Sequence, residues 1–162
     1  MNVLLGLCLA VFSIGAEATH LQAVPADPAR TVESLLESMK SPDAGVRAAS
    51  ARALGEIATE SKQAKESIPA LGLALKDGDV GVRENAARAL GQIGPSADAT
   101  VPALVESLRD VDARVRKAAA MALGRIGDAG ATEALKVARK DPNKEVQGSA
   151  KAALKRLKDR KR

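Results

Sequence analysis

Apolar and polar positions along this chain follow a helical period, and the pattern restarts four times. Counting from Val82, apolar side chains fall at Val82, Ala86, Ala89, Leu90 and Ile93. On a helix of 3.6 residues per turn these form one stripe. The same stripe restarts at Val46, Val115 and Val146, so the anchor valines recur every 31 to 36 residues. Upstream of each anchor, always by fourteen residues, stands a second apolar phrase, opening at Val32, Ile68, Val101 and Thr132. Ile68, Leu71 and Leu75 again share one face. The pattern predicts first helices at about 31–40, 68–76, 101–109 and 132–139, and second helices at about 44–58, 80–93, 113–126 and 144–158. A repeat of this length implies stacked helical hairpins rather than one globular core.

Local chemistry supports these boundaries. Pro69 and Pro102 stand where first helices begin, and a missing N–H costs little there. Asp43, Asp79, Asp112 and Asn143 precede each anchor by three residues and are expected to cap the second helices. Repeat length varies only after the second phrase, so insertions collect in one connecting loop. Alanine dominates the facing positions and lets helices approach closely. Leu, Ile and Val supply burial of about 1.5–3 kcal/mol for each side chain removed from water.

One flank of the second helix is small in three units and polar in the fourth. Ala51, Ala87 and Ala120 correspond to Lys151, while Gly55, Gly91 and Gly124 correspond to Lys155. With Gln147, these lysines make one flank of the last helix fully polar, as expected of a unit that caps the stack.

The recurring Asp-x-x-Val-Arg followed by Ala-Leu-Gly-x-Ile resembles the HEAT repeat, in the short form found in phycobilisome lyases. The resemblance covers about residues 31–157 and implies an all-α fold, a right-handed α-solenoid of four stacked helical hairpins. Its repeats would be 31–67, 68–100, 101–131 and 132–157. It also implies an inter-repeat polar ladder, with Asp43, Asp79 and Asp112 partnering Arg47, Arg83 and Arg116. The fourth unit departs from this with Asn143 and Gln147; both charges vanish together, as partners would.

The net charge of +5 is concentrated at one end. Lys151, Lys155, Arg156, Lys158, Arg160, Lys161 and Arg162 face Asp159 alone, so the basic excess belongs to the C-terminal residues, with 158–162 read as a basic tail. Cations there suit a helix C-terminus; the functional alternative is an anionic partner. No aromatic residue interleaves with them, which argues against nucleic acid. At the other end, the apolar run Val3–Ile14 precedes Ala16-Glu17-Ala18, which has the form of a secretory signal peptide over 1–18. Met1-Asn2 contributes no Lys or Arg to it. Cleavage near Ala18 would make the protein periplasmic or extracellular; without cleavage it would be cytoplasmic. The run is too short for a comfortable membrane span. Residues 19–30, with Pro25 and Pro28, read as a linker.

Candidate catalytic chemistry is sparse. The one cysteine is Cys8 in the leader and the one histidine is His20 in the linker. The repeats thus hold no thiol nucleophile, no imidazole base and no His/Cys metal site. Asp77 with Asp79, and Asp110 with Asp112, are conceivable oxygen ligands, but each pair sits at a turn whose second member is a cap. No Gly-rich phosphate loop is present. Within the resembling family, deoxyhypusine hydroxylase holds two irons through His-Glu pairs, which this chain lacks. Phycobilin lyases grip a tetrapyrrole, and the repeats have no Tyr, Trp or His to do so.

The expected function is therefore non-catalytic: a scaffold or adaptor with no cofactor, monomeric, binding an acidic or extended protein partner. The expected binding face lies on the second helices, through Arg52, Glu84, Arg88, Gln92, Lys117, Met121 and Arg125. The alternatives are a regulatory or lyase-associated subunit, or a binder of anionic polymers or membranes through the basic tail.

Overall fold

The computed structural model describes residues 28–57 and 66–160. The expected leader with Cys8, the linker as far as residue 27 with His20, the loop 58–65, and Lys161 and Arg162 lie outside the described residues. All regular structure among the described residues is helical. The helices are α1 (Pro28–Ser38), α2 (Ala44–Ile57), α3 (Ile68–Ala74), α4 (Val80–Ile93), α5 (Val101–Ser107), α6 (Ala113–Ile126), α7 (Thr132–Ala138) and α8 (Lys144–Arg160). Short 3₁₀ segments at Gly94–Thr100 and Ala129–Ala131 lead into α5 and α7.

The expected helices appear, with two shifts. Pro28 opens α1 instead of closing the linker, because a proline is well accommodated in a first turn. At the other end α8 runs to Arg160, so residues 158–160 are helix and not tail. Leu157, at 4% exposure, anchors this last turn. The first helices are short; after α3, α5 and α7 the chain closes with a turn, as in Leu75 N–H to Leu71 O and Lys76 N–H to Leu73 O.

The expected caps form. Asp79 Oδ1 accepts from the N–H groups of Gly81 and Val82 at 2.8 and 3.1 Å. Asp43 and Asn143 do the same for α2 and α8, and Asp112 accepts from Arg114 N–H. Each cap satisfies donors that a helix start leaves open. At the opposite ends, Gly94 and Gly127 adopt φ of 72° and 85°, and their N–H groups close α4 and α6 onto Leu90 and Leu123.

The molecule is an α-solenoid. Second helices pack on second helices, α2 on α4, α4 on α6 and α6 on α8, while each first helix covers its own partner. The stripe read from the sequence is the core: Leu54, Leu90 and Leu123 from the second helices, Leu71, Leu104 and Leu135 from the first. Val82, Val115 and Val146 are fully buried, whereas Val46 is 43% exposed. It stands on the flank that elsewhere meets the preceding second helix, and no earlier second helix is among the described residues.

Glycine sets the spacing of the second helices. A Cβ on Gly55, Gly91 or Gly124 would lie 2.7, 2.9 or 2.7 Å from the Cα of Ala89, Ala122 or Ala153. The backbones therefore touch along a Gly-on-Ala seam. Lys151 and Lys155, at the corresponding positions of α8, are exposed.

Candidate functional site

Two polar systems run along the stack: a ladder between units, and the outward face of the second helices. The ladder contains the expected arginines but different carboxylates. Arg47 donates through Nε and Nη2 to both oxygens of Asp77, at 2.8 and 2.9 Å. Arg83 does so to Asp110 at 2.7 and 3.2 Å, and Arg116 to Asp141 at 2.7 and 2.9 Å. Asp43, Asp79 and Asp112 are not these acceptors. Their oxygens are turned onto the helix N–H groups two positions ahead, and for Asp43 and Asp79 also three ahead, so each guanidinium reaches past the capping residue to the next unit.

Each rung also ties down its own turn. Nη1 of Arg47, Arg83 and Arg116 donates to the carbonyls of Ser41, Asp77 and Asp110, respectively. The rung carboxylates accept the N–H of Asp79, Asp112 and Asn143. The ladder's terminal positions follow the same logic. Ser41 stands where later units have Asp77, Asp110 and Asp141. Gln147 stands where earlier units have arginine, and its Nε2 keeps only the turn bond, to Asp141 O at 2.6 Å. The charge lost with Gln147 is therefore unrelated to Asn143, which caps α8.

The electrostatics follow from these bonds. Hydrogen bonding from Arg47 holds the Asp77 carboxyl below its ordinary range, against a smaller upward push from burial. Asp141 is lowered in the same way by Arg116. For Asp110, burial is the largest influence and acts upward, but the bonds from Arg83 and from Asp112 N–H together outweigh it and the carboxyl lies low. These carboxylates are committed to guanidinium groups and are not available as metal ligands. Among the described residues no three His, Cys, Asp or Glu side chains are grouped to hold a metal ion, and no helix is long and apolar enough to cross a membrane.

The outward face brings most of the expected binding residues together. Glu84, Arg88 and Lys117 line one open hollow of about 420 Å³ with Arg114 and Glu145. Gln92 and Arg125 line a larger hollow of about 740 Å³. Met121, 39% exposed, lines a third with Arg125. Arg52 belongs to none of these hollows. Much of the charge on this face is internally matched. Arg88 donates to Glu84 at 2.6 Å, Arg52 lies 3.8 Å from Glu56, and Lys117 donates to Glu145 at 2.7 Å across two units. The Lys117 ammonium holds the Glu145 carboxyl below its ordinary range.

The basic C-terminal residues divide between two flanks. Lys151, Lys155 and Lys158 follow one exposed stripe of α8. Arg156 instead joins the outward face beside Arg125. Arg160 is folded back onto the molecule, donating from Nη1 to Ile126 O at 2.8 Å and from Nη2 to Arg125 O at 3.2 Å. It thus caps the C-terminus of α6, where a cation also suits the helix dipole.

Paired helices stacked through a shared seam and a repeating Arg–Asp bond define a helical-repeat protein. The family model for HEAT repeats matches residues 32–110 and 68–155, and the chain belongs to that family. An engineered protein of known structure is 31% identical, with 79% of this chain and 62% of that one covered at a TM-score of 0.66. Human deoxyhypusine hydroxylase with glycerol is 28% identical, with 85% of this chain and 45% of that one covered at 0.62. The CpcE–CpcF complex of phycocyanin lyase from Nostoc shares the fold at 21% identity and a TM-score of 0.65, with 78% and 85% covered. The chain spans 62% and 37% of the first two engineered proteins it matches. Comparison with curated proteins gave no match.

Proposed function

We propose that this protein is a non-catalytic interaction scaffold that docks a protein partner across the outward face of α2, α4, α6 and α8. One observation carries this reading: three adjoining hollows open along the α4, α6 and α8 part of that face and are lined by residues from successive units, exposed Arg88, Gln92, Met121, Arg125 and Arg156 among them. The ladder carboxylates, by contrast, are held by guanidinium groups of the protein itself and serve the stack. Solenoid faces of this kind are broad and suit extended partners. The hydroxylase and the lyase that share the fold show that it also occurs in enzymes. The His-Glu pairs implied for the hydroxylase are missing from this sequence, which supports the scaffold over that reading. The apolar run before Ala16-Glu17-Ala18 supports export of the scaffold, and a secreted form whose N-terminal sequence begins at Thr19 is the corresponding result.

The test is placement of a photocrosslinking amino acid at Met121 on the second-helix face, or at Leu73, an exposed position on α3. In extract of the native organism, Met121 is expected to give a discrete crosslinked protein and Leu73 none. Equal crosslinking from the two positions, or none from Met121, removes the second-helix face from consideration.

A further inference from the structure

Resting on the scaffold reading, we propose that Arg125 and Arg156 form a two-guanidinium clamp for an acidic peptide segment of the partner. Most other cations of this face already have partners: Arg88 has Glu84, Lys117 has Glu145, Arg52 has Glu56 and Arg114 has Asp112. Arg160 is committed to backbone carbonyls. Arg125 and Arg156 are exposed and form no side-chain hydrogen bond or ion pair among the described residues. Arg125 lies in the last turn of α6, where its charge suits the helix dipole, but unlike Arg160 it donates to no carbonyl.

The two arginines stand where two hollows meet. One, of about 740 Å³, is bounded by Gln92, Pro95, Asp159 and Arg160. Gly91 and Gly124 also line it, so the residues that let the helices touch leave this stretch without side chains. The other, of about 300 Å³, has Met121, Gly148 and Ala152 along its wall and one acid, Glu145. Glu145 is bonded to Lys117. Among the described residues, Asp159 is the one carboxylate against the clamp without an ion-pair partner, so the guanidinium charge there exceeds it. A broad trough with small side chains accepts a main chain. Two guanidiniums on adjacent units fit carboxylates, which they bind through paired N–H donors. The occupant is therefore an extended segment carrying at least two Asp or Glu residues.

The probe is a fluorescent ten-residue polyglutamate peptide, titrated by anisotropy with the full chain at low and physiological salt. Ten-residue polylysine and a ten-base oligothymidylate serve as comparisons. The wild type is expected to bind polyglutamate, more weakly as salt rises, and to ignore polylysine. Arg125→Ala/Arg156→Ala is expected to weaken it at least tenfold. Arg139→Glu/Lys140→Glu makes a larger charge change at the exposed turn after α7 and is expected to stay within twofold. Circular dichroism checks that each variant is folded. The clamp is overturned by no wild-type binding, by equal loss in both variants, or by oligothymidylate binding that equals polyglutamate and is lost with it. Any of these alongside a retained Met121 crosslink defeats the acidic-peptide assignment alone; loss of that crosslink defeats the scaffold itself.

Discussion

Arg83 on α4 holds both carboxylate oxygens of Asp110 from the next unit, at 2.7 and 3.2 Å, with side chains 14% and 11% exposed. Its Nη1 donates to the carbonyls of Asp77 and Gly78. One side chain thus fixes a turn in its own unit and the orientation of the following one. Removing Asp110 leaves a largely covered guanidinium without its counter-charge, which costs more than the pair itself contributes. Asp110→Ala is expected to lower stability by about 2 kcal/mol. Glu133→Ala, which breaks the exposed pair with Lys136, should cost under about 0.5 kcal/mol. Urea denaturation of the two variants measures both; equal losses would show that the ladder is ornamental.

The ladder also sets the acid limit of the fold. Asp77, Asp110 and Asp141 are held below the ordinary aspartate range, while their arginine partners are pushed upward and stay charged. A carboxyl lowered in the folded state binds fewer protons there than in the unfolded chain. Its contribution is complete above the unfolded value near ~3.9 and is lost as pH falls through the folded one. The melting temperature should therefore be nearly level from about pH 8 to 5 and fall steeply below about 4. Asp110→Asn should melt lower at neutral pH and show a shallower acid decline. A flat profile from pH 5 to 3 would contradict this.

The fold was legible because each unit repeats its anchors at fixed offsets, so the stripe through Val82, Leu90 and Ile93 needed no partner to be recognised. Caps were legible for the same reason, since Asp79 and its donors are neighbours in sequence. The ladder was only half legible. Aspartates recur both three and five residues before the anchors, and both are near an arginine along the chain. Which one meets Arg47 depends on how the next unit is set against it, and sequence spacing does not carry that. The available signal was that the first unit lacks the Asp, at Ser41, and the fourth lacks the Arg, at Gln147, as a pairing of each Arg with the Asp of the following unit requires. Arg156 belongs to a basic run along the chain, yet the helical phase of α8 turns it to the outward face, beside Arg125. The Lys117–Glu145 bond crosses units and had no local signature.

The seam between second helices should tolerate no methyl group. A Cβ at position 91 or 124 would press on Ala122 or Ala153 backbone at 2.9 or 2.7 Å, and neither atom can swing away. Alanine is the better helix former by about 1 kcal/mol, so an isolated helix would gain. Overpacking of about 1–3 kcal/mol or more opposes that gain. Gly124→Ala is expected to be destabilising on balance, by about 1–2 kcal/mol. Gly148→Ala on α8, where nothing lies within 4 Å, should be neutral or stabilising. Thermal unfolding of the pair separates packing from propensity, and a stabilised Gly124→Ala would refute the close seam.

The last helix secures the end of α6 through Arg160, and this contact is coupled to Gly127. Gly127 has φ of 85°, a conformation that costs an ordinary residue about 1 kcal/mol. A Cβ there would also collide with the Arg160 guanidinium, whose Cζ would lie 2.6 Å away. That side chain is flexible and can move, but only by giving up its bonds to Ile126 and Arg125. Arg160→Ala alone should cost about 1 kcal/mol, the usual worth of such hydrogen bonds. Gly127→Ala alone should cost the backbone strain and the Arg160 bonds together. The double variant should therefore be less destabilised than the sum of the singles, by about 1 kcal/mol. Urea denaturation around this double-mutant cycle gives the coupling, and strict additivity would mean that Arg160 does not cap α6 in solution.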